Sequence, residues 1–215
     1  MEDLFETVEA PGRICLGSGL IYMPAYLDQA AQTALAADIA QVVAEAPWFQ
    51  PRMPRNGHPL SVKMTNCGAL GWVSDRDGGY RYEARHPATG RPWPPIPTRV
   101  LDVWRALADY PHPPEACLVN FYDCKARMGL HQDRDEQDFS APVMSISLGD
   151  PCVFRYGARR NDASKRLELR SGDVLVLGGA SRLFFHGVDK ILGDESSLLS
   201  GDGRINLTLR RVTRP

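Results

Sequence analysis

Residues 120–136 read Asn-Phe-Tyr-Asp-Cys-Lys-Ala-Arg-Met-Gly-Leu-His-Gln-Asp-Arg-Asp-Glu, and within them His131 and Asp133 stand two positions apart. On extended backbone successive side chains alternate in direction, so residues i and i+2 leave the same face. An imidazole and a carboxylate on one face can grip a single divalent ion if a third ligand comes from elsewhere. His186, in Leu-Phe-Phe-His-Gly, is the candidate. Two histidines and one carboxylate on one face of the ion are the ligand set of non-haem Fe(II) oxygenases, and they leave the opposite coordination positions open. The pair alone is a weak signal: a zinc hydrolase would use the same three residues, and an ordinary strand can carry a surface His and Asp.

A second constellation lies near the C-terminus. In a strand there, Arg204, Asn206, Thr208 and Arg210 share one face, and Ile205, Leu207 and Leu209 oppose them. In an earlier strand Asn120 and Tyr122 share a face with Leu118, against Val119 and Phe121. Arginine is rarely buried without an anionic partner, and its planar fork suits a carboxylate bidentately. Two arginines on one face could hold both ends of a small dianion. The rival is a solvated arginine face on an edge strand, as in a metal-free jelly-roll binding module.

These side chains need a rigid frame. From residue 116 onward the pattern is of short strands, at 117–123, 143–148, 152–156, 167–170, 174–177, 183–188 and 205–212, punctuated by Gly, Asp, Asn and Ser. Such spacing predicts a sandwich or jelly roll. Residues 13–23 suggest one or two further strands. A helix is expected over 28–46, capped by Asp28 and stopped by Pro47, with Ala31, Leu35, Ile39 and Val42 on its buried face. A second is expected over 98–109, burying Leu101, Trp104, Leu107 and Ala108. Between them, residues 48–97 are rich in Pro, Gly, Arg and aromatics, with a short strand at 61–66; so much irregular chain predicts a functional loop or lid.

With 215 residues, 43% hydrophobic and 24% charged, the chain fits a single domain spanning 1–215, with a β core over 116–213. A formal net charge of −1 excludes a global basic field, so any nucleic-acid contact must be local. The five cysteines, 15, 67, 117, 124 and 152, are odd in number and hold no C-x-x-C pair. That argues against a disulfide framework and a cysteine zinc site, and for a reducing compartment. The acidic N-terminus lacks the regions of a signal peptide, and no apolar run approaches the ~18 residues of a membrane span. A cytoplasmic protein without a membrane partner is expected.

Taken in order, Asn120-x-Tyr122, His131-x-Asp133-x-Asp135-Glu136, His186 and Arg204-x-Asn206-x-Thr208-x-Arg210 resemble the AlkB family of Fe(II)/2-oxoglutarate dioxygenases. Met64-Thr-Asn-Cys-Gly-Ala-Leu-Gly-Trp72, Arg91-Pro-Trp-Pro94 and Arg159-Arg-Asn-Asp162 extend the likeness over nearly the whole chain. The resemblance implies a mainly β fold with flanking helices, a double-stranded β-helix (a jelly-roll variant) carrying a nucleotide-recognition lid. It implies Fe(II), 2-oxoglutarate as co-substrate and O2. His131, Asp133 and His186 would be the iron ligands. Arg204, Asn120 and Tyr122 would bind the distal carboxylate of 2-oxoglutarate, with Arg210 near its metal-chelating end and Asn206 beside it. Trp72 would stack on a damaged base opposite His131. Tyr80 and Tyr82 would contact the strand, Asp135 would face an exocyclic amine, and Arg160 and Met64 would complete the substrate site.

The activity so implied is oxidative demethylation of 1-methyladenine and 3-methylcytosine in single-stranded DNA, with RNA as a further substrate, by a monomer that releases formaldehyde, succinate and CO2. Independently, a base modified on its Watson–Crick edge must leave the stack before an active site reaches it. An aromatic such as Trp72 offers a platform, and Lys63, Arg127, Arg134 and Arg160 can meet phosphates without making the protein basic. A related oxygenase acting on RNA alone, or on protein, is the alternative. Two departures from the family pattern stand out: Asp123-Cys124-Lys125 replaces a common Pro-Gly turn, and the lid has an extra glycine near Gly78-Gly79.

Overall fold

The structure, a computed structural model, describes residues 12–193, 196–199 and 201–215. The acidic first residues, expected to hold no signal peptide, lie outside the described residues. Among the described residues the chain runs β1 (Ile14–Gly17), β2 (Leu20–Met23), α1 (Gln29–Glu45), β3 (Lys63–Gly68), β4 (Gly71–Asp75), β5 (Gly79–Glu83) and α2 (Thr98–Leu107). It continues with β6 (Ala116–Tyr122), β7 (Met128–His131), β8 (Val143–Gly149), β9 (Cys152–Gly157), β10 (Lys165–Leu169) and β11 (Val174–Leu177). A 3-10 turn at Gly179–Leu183 leads to β12 (Phe185–Ile191) and β13 (Arg204–Arg210).

Strands β1-β2-β11-β8-β13-β6-β3 form a seven-stranded sheet and β10-β9-β12-β7 a four-stranded one. The fold is the expected double-stranded β-helix. Residues of both sheets, among them Leu118, Val143, Leu175, Phe154 and Val188, meet in one core between them. On its other face the larger sheet packs Val119, Ile146, Leu207 and Leu209 against Leu35, Ile39 and Val42 of α1 and Val100 and Trp104 of α2. Burial on both faces explains why β11 and β13 are covered at every position. Each fully buried aliphatic side chain contributes roughly 1.5–3 kcal/mol.

Helix α1 begins as expected: Asp28 Oδ1 accepts the N–H of Ala31 at 2.8 Å, a cap of about 1 kcal/mol. Its buried face holds Leu35, Ile39 and Val42. In α2 the face is rotated from the expected one. Val100, Val103 and Trp104 are buried, while Leu101 and Leu107 are half-buried. Of the expected stripe, Trp104 and Ala108 are buried.

Residues 48–97 are more ordered than their composition suggests. Strands β4 and β5 pair as a hairpin, with Trp72 opposite Tyr82 and Ser74 opposite Tyr80. Asp75 Oδ1 closes the turn by accepting the N–H groups of Asp77 at 3.0 Å and Gly78 at 2.7 Å. Beneath it Phe49, His86 and Trp93 form an aromatic cluster, and Trp93 Nε1 donates to the Glu83 carbonyl at 2.8 Å. A Cβ at Gly71 would lie 2.5 Å from the Trp93 ring, so only glycine lets the hairpin rest there. No helix among the described residues is long and apolar enough to cross a membrane.

Candidate active site

The three candidate ligands converge. Antiparallel pairing of β12 with β7 sets His186 directly opposite His131, with ring centroids 4.5 Å apart. Asp133 follows two residues after His131 and returns to the same side. His131 Nε2 lies 3.6 Å from Asp133 Oδ1, and His186 Nε2 lies 3.6 Å from Asp133 Oδ2. One ligand atom from each of the three residues lies within 4.8 Å of the others. The two strands approach closely here: a Cβ at Gly187 would stand 2.4 Å from the Met128 carbonyl oxygen.

The donor set fits a divalent ion. His131 Nδ1 is 3.0 Å from the Gly129 carbonyl oxygen, and His186 Nδ1 is 3.0 Å from that of Phe184. A carbonyl can only accept, so each Nδ1 carries the proton and each Nε2 keeps a lone pair for a metal. Asp133 Oδ2 is buried without a hydrogen-bond partner. An orphaned carboxylate oxygen is costly, and a cation between it and two imidazole nitrogens would satisfy it.

Burial alone would raise the Asp133 carboxyl, but the charge of Arg210, aided by His186 and His131, holds it well below the usual carboxylate range. Burial pushes His186 down to about 4, despite the pull of Asp133, so its imidazole is neutral and ligand-ready at pH 7. The unfolded imidazole takes up its proton near 6.5 and the folded one near 4, so the unfolded state binds more protons between those values. The metal-free protein should therefore lose stability as pH falls from about 6.5 towards 4. Urea unfolding of chelator-treated protein at pH 7.5 and pH 5 measures this, and an unchanged midpoint would show His186 already satisfied.

Beside the triad lies the arginine face expected from alternation. Arg204 pairs with Tyr122 and Asn206 with Asn120 across β13 and β6. Arg204 is 2% exposed; its Nη2 donates to Ser147 Oγ at 2.9 Å, and its guanidinium sits 5.6 Å from the Tyr122 ring centroid. Its Nε and Nη1 have no partner. Asn206 Nδ2 donates to Ser145 Oγ at 2.7 Å, and Thr208 Oγ1 to Asn206 Oδ1 at 2.9 Å. Burial pushes the Tyr122 phenol up to about 12, so it stays a neutral donor. A buried guanidinium with two unused nitrogens, beside a neutral phenol and amides, suits a carboxylate.

Arg210 is engaged differently. Its Nη2 lies 2.7 Å from Asp133 Oδ1, and its Nη1 lies 2.9 Å from Glu136 Oε1 and 3.0 Å from the Tyr82 hydroxyl. Glu136 also accepts a short hydrogen bond from the Tyr82 hydroxyl and binds Arg182 Nη2 at 3.0 Å. This corrects the expectation for Tyr82. Its hydroxyl points inward to Glu136 and Arg210, because β5 carries it past the rim and a buried carboxylate captures it.

A cavity of about 400 Å³ opens over these groups. Asp133, His186, Asn120, Tyr122, Arg204, Asn206, Arg210 and Met64 are its buried lining, and His131, Trp72, Tyr80 and Asp135 line its more exposed part, the mouth. His131 keeps 40% of its side chain exposed, against 3% for Asp133. Trp72 stacks on Tyr80 with centroids 5.5 Å apart and donates its Nε1–H to Asp135 Oδ2 at 2.8 Å. Arg160 does not join them: it is exposed in the turn between β9 and β10, outside the cavity lining. Lys63, Arg127 and Arg134 are exposed as well.

Neither Glu136 nor Arg182 is assigned a role by residue type or spacing. Arg182 is 2% exposed and donates to the carbonyl oxygens of Asp133 at 2.7 Å and Ala141 at 2.8 Å. The available signal was an arginine set immediately before the apolar Leu-Phe-Phe that leads to His186.

The profile of the 2OG-Fe(II) oxygenase superfamily matches residues 19–210, so fold and site define an oxygenase that uses Fe(II), 2-oxoglutarate and O2. The chain is 54% identical over 195 residues to an alpha-ketoglutarate-dependent dioxygenase AlkB homolog of Caulobacter vibrioides, covering 90% of this chain and 88% of that one. It is 42% identical over 217 residues to the alpha-ketoglutarate-dependent dioxygenase AlkB of Escherichia coli, covering 99% and 98%. The solved structure of OsALKBH1 superposes with a TM-score of 0.78 at 32% identity, covering 93% of this chain and 99% of that one. The chain belongs to the AlkB family of alpha-ketoglutarate-dependent dioxygenases.

Proposed function

We propose that this dioxygenase oxidatively demethylates N-alkylated bases, 1-methyladenine and 3-methylcytosine, in single-stranded DNA and also in RNA. The observation that carries the reading is the mouth of the cavity. The Trp72–Tyr80 stack and the Asp135 carboxylate line the same cavity as the partly exposed His131 ring of the triad. Stacking surfaces accept any base, and a carboxylate favours a cationic alkylated base with a donor amine.

His131, Asp133 and His186 hold the iron in this reading. Arg204, with Asn120 and Tyr122, binds the distal carboxylate of 2-oxoglutarate, while Arg210 and Asn206 border its chelating end. Bound Fe(II) with 2-oxoglutarate and O2 supplies a two-electron oxidation that places one oxygen atom on the substrate methyl group as 2-oxoglutarate becomes succinate and CO2. The resulting N-hydroxymethyl group releases formaldehyde and the repaired base. The protein's own residues would orient the base and direct its methyl group towards the metal held by the triad. Residues 48–97 serve as the lid on a single domain, and Arg134 of the cavity lining, with the exposed Arg160, Lys63 and Arg127, would meet the strand's phosphates. We place the enzyme in the cytoplasm as a monomer; its five thiols are free, as a reducing compartment would leave them.

A zinc hydrolase built on the same triad would have no use for a buried Arg204 with two unpartnered nitrogens. The deciding experiment is mass spectrometry of a 3-methylcytosine oligonucleotide incubated with the protein, Fe(II), 2-oxoglutarate and air. Loss of a methyl group that requires every component is expected. Succinate without demethylation would keep the oxygenase and discard the substrate.

Replacing Trp72 with Ala should weaken the oligonucleotide specifically. Base–aromatic stacking contributes about 1–3 kcal/mol, so KM for the oligonucleotide should rise roughly 5–150-fold. KM for 2-oxoglutarate should hold steady, because Trp72 touches the mouth and not the arginine face. Steady-state kinetics with each substrate varied in turn would separate the two, and an equal rise in both would return Trp72 to a packing role.

A further inference from the structure

Asp133 is gripped twice, and Glu136 joins the two grips. Arg210 Nη2 holds the side chain at Oδ1, 2.7 Å away, while Arg182 Nη1 holds the backbone carbonyl oxygen at 2.7 Å. Glu136, whose side chain has no exposed surface, binds Arg210 through Oε1 at 2.9 Å and Arg182 through Oε2 at 3.0 Å. Tyr82 adds its hydroxyl to the same Oε1 and lies 3.0 Å from Arg210 Nη1. The result leaves one Asp133 oxygen capped by a guanidinium and the other, Oδ2, without a hydrogen-bond partner.

That division has a chemical consequence. A carboxylate that grips a metal through both oxygens fills two coordination positions, whereas one that uses a single oxygen leaves more of them for co-substrate and oxygen. A flexible arginine cannot enforce the choice unless it is itself held. We propose that Glu136 and Tyr82 are positioning residues that lock Arg210 on Asp133 Oδ1 and so hold the carboxylate in place, with Oδ2 the oxygen it would offer a metal. Tyr82 also lies directly across the hairpin from Trp72, so one strut spans from the cavity mouth to the metal carboxylate. The inference rests on the reading of Asp133 as a metal ligand.

The test is a Mn(II) titration, followed by loss of the free-ion EPR signal, on wild type, Glu136→Gln, Tyr82→Phe, Asp133→Ala and Asp173→Asn. Groups that orient metal ligands are worth about 10–100-fold in affinity, so Glu136→Gln should weaken Mn(II) by that order and Tyr82→Phe by the lower end of it. Asp173 is a buried acid outside the cavity lining that accepts bonds from Tyr22, Ala25 and Arg170. Its Asn variant should lower stability and leave Mn(II) affinity alone. Affinities within about twofold of wild type for both Glu136→Gln and Tyr82→Phe would overturn the proposal. So would an Asp173→Asn shift as large as that of Glu136→Gln, since the effect would then be general loosening. Should Glu136→Gln fail to fold, Tyr82→Phe, which removes one hydroxyl, decides alone. Asp133→Ala separates the two levels: undiminished Mn(II) binding there would sink the ligand reading, whereas its loss beside unaltered Glu136→Gln would sink only the positioning role.

Discussion

Asp133→Ala should empty the metal site and abolish turnover while the protein remains folded. Outer partners of metal ligands are worth about 10–100-fold in affinity, so removal of a ligand should cost more than that and bring Fe(II) binding below detection at working concentrations. Retention of the fold is the less obvious half. Breaking a buried ion pair can cost about 3–5 kcal/mol when it strands the remaining charge. Here Arg210 keeps Glu136 at 2.9 Å and the Tyr82 hydroxyl at 3.0 Å, so it is not stranded. Asp133 Oδ2 also has no hydrogen bond to lose. The cost should therefore fall below that range. Iron content by absorption spectrometry, circular dichroism and formaldehyde release on one preparation would check all three. A variant that binds iron and turns over would remove the triad from the chemistry.

How much of this was legible in the sequence depends on the range of each interaction. The faces of β6 and β13 could be read because alternation is a local rule, and every expected member of the polar face lines the cavity. The convergence of His186 with His131 could be suspected from residue types alone. Its geometry rests on a pairing between strands 55 positions apart in sequence, 131 to 186, and no local rule reaches that far. Tyr80 and Tyr82 are expected at the substrate strand only by resemblance, and neither residue type nor spacing carries information about depth. Tyr82 therefore turned out to be tied to a carboxylate 54 residues away. The β4–β5 hairpin was hidden by its Gly-rich setting, although Asp75, Asp77, Gly78 and Gly79 spell its turn. In α2 Val100, Val103 and Trp104 at i, i+3 and i+4 are as helical a stripe as the expected one, so spacing alone does not choose between the two faces.

Arg204→Met should destroy the response to 2-oxoglutarate and yet leave the ligand-free protein about as stable as before. Arg204 is 2% exposed, with one hydrogen bond to Ser147 and two nitrogens without partners. Replacing a buried charged group by an apolar side chain of similar volume is often neutral or stabilising, by about 1–4 kcal/mol. Against that stands the loss of the cation–π contact with Tyr122, about 2 kcal/mol when desolvated. The two nearly cancel. In wild type, a ligand at a hundred times its Kd adds about 2.7 kcal/mol of stability, and the variant should lose this increment. The KM for 2-oxoglutarate should rise by at least about a hundredfold, since an unpaired charge in a buried carboxylate–guanidinium site costs about 3–5 kcal/mol. Urea unfolding with and without 2-oxoglutarate reads stability and binding from the same curves. Collapse of the ligand-free variant, with wild-type protein indifferent to 2-oxoglutarate, would make Arg204 a structural residue. The converse pattern would show a buried cation held ready for the co-substrate.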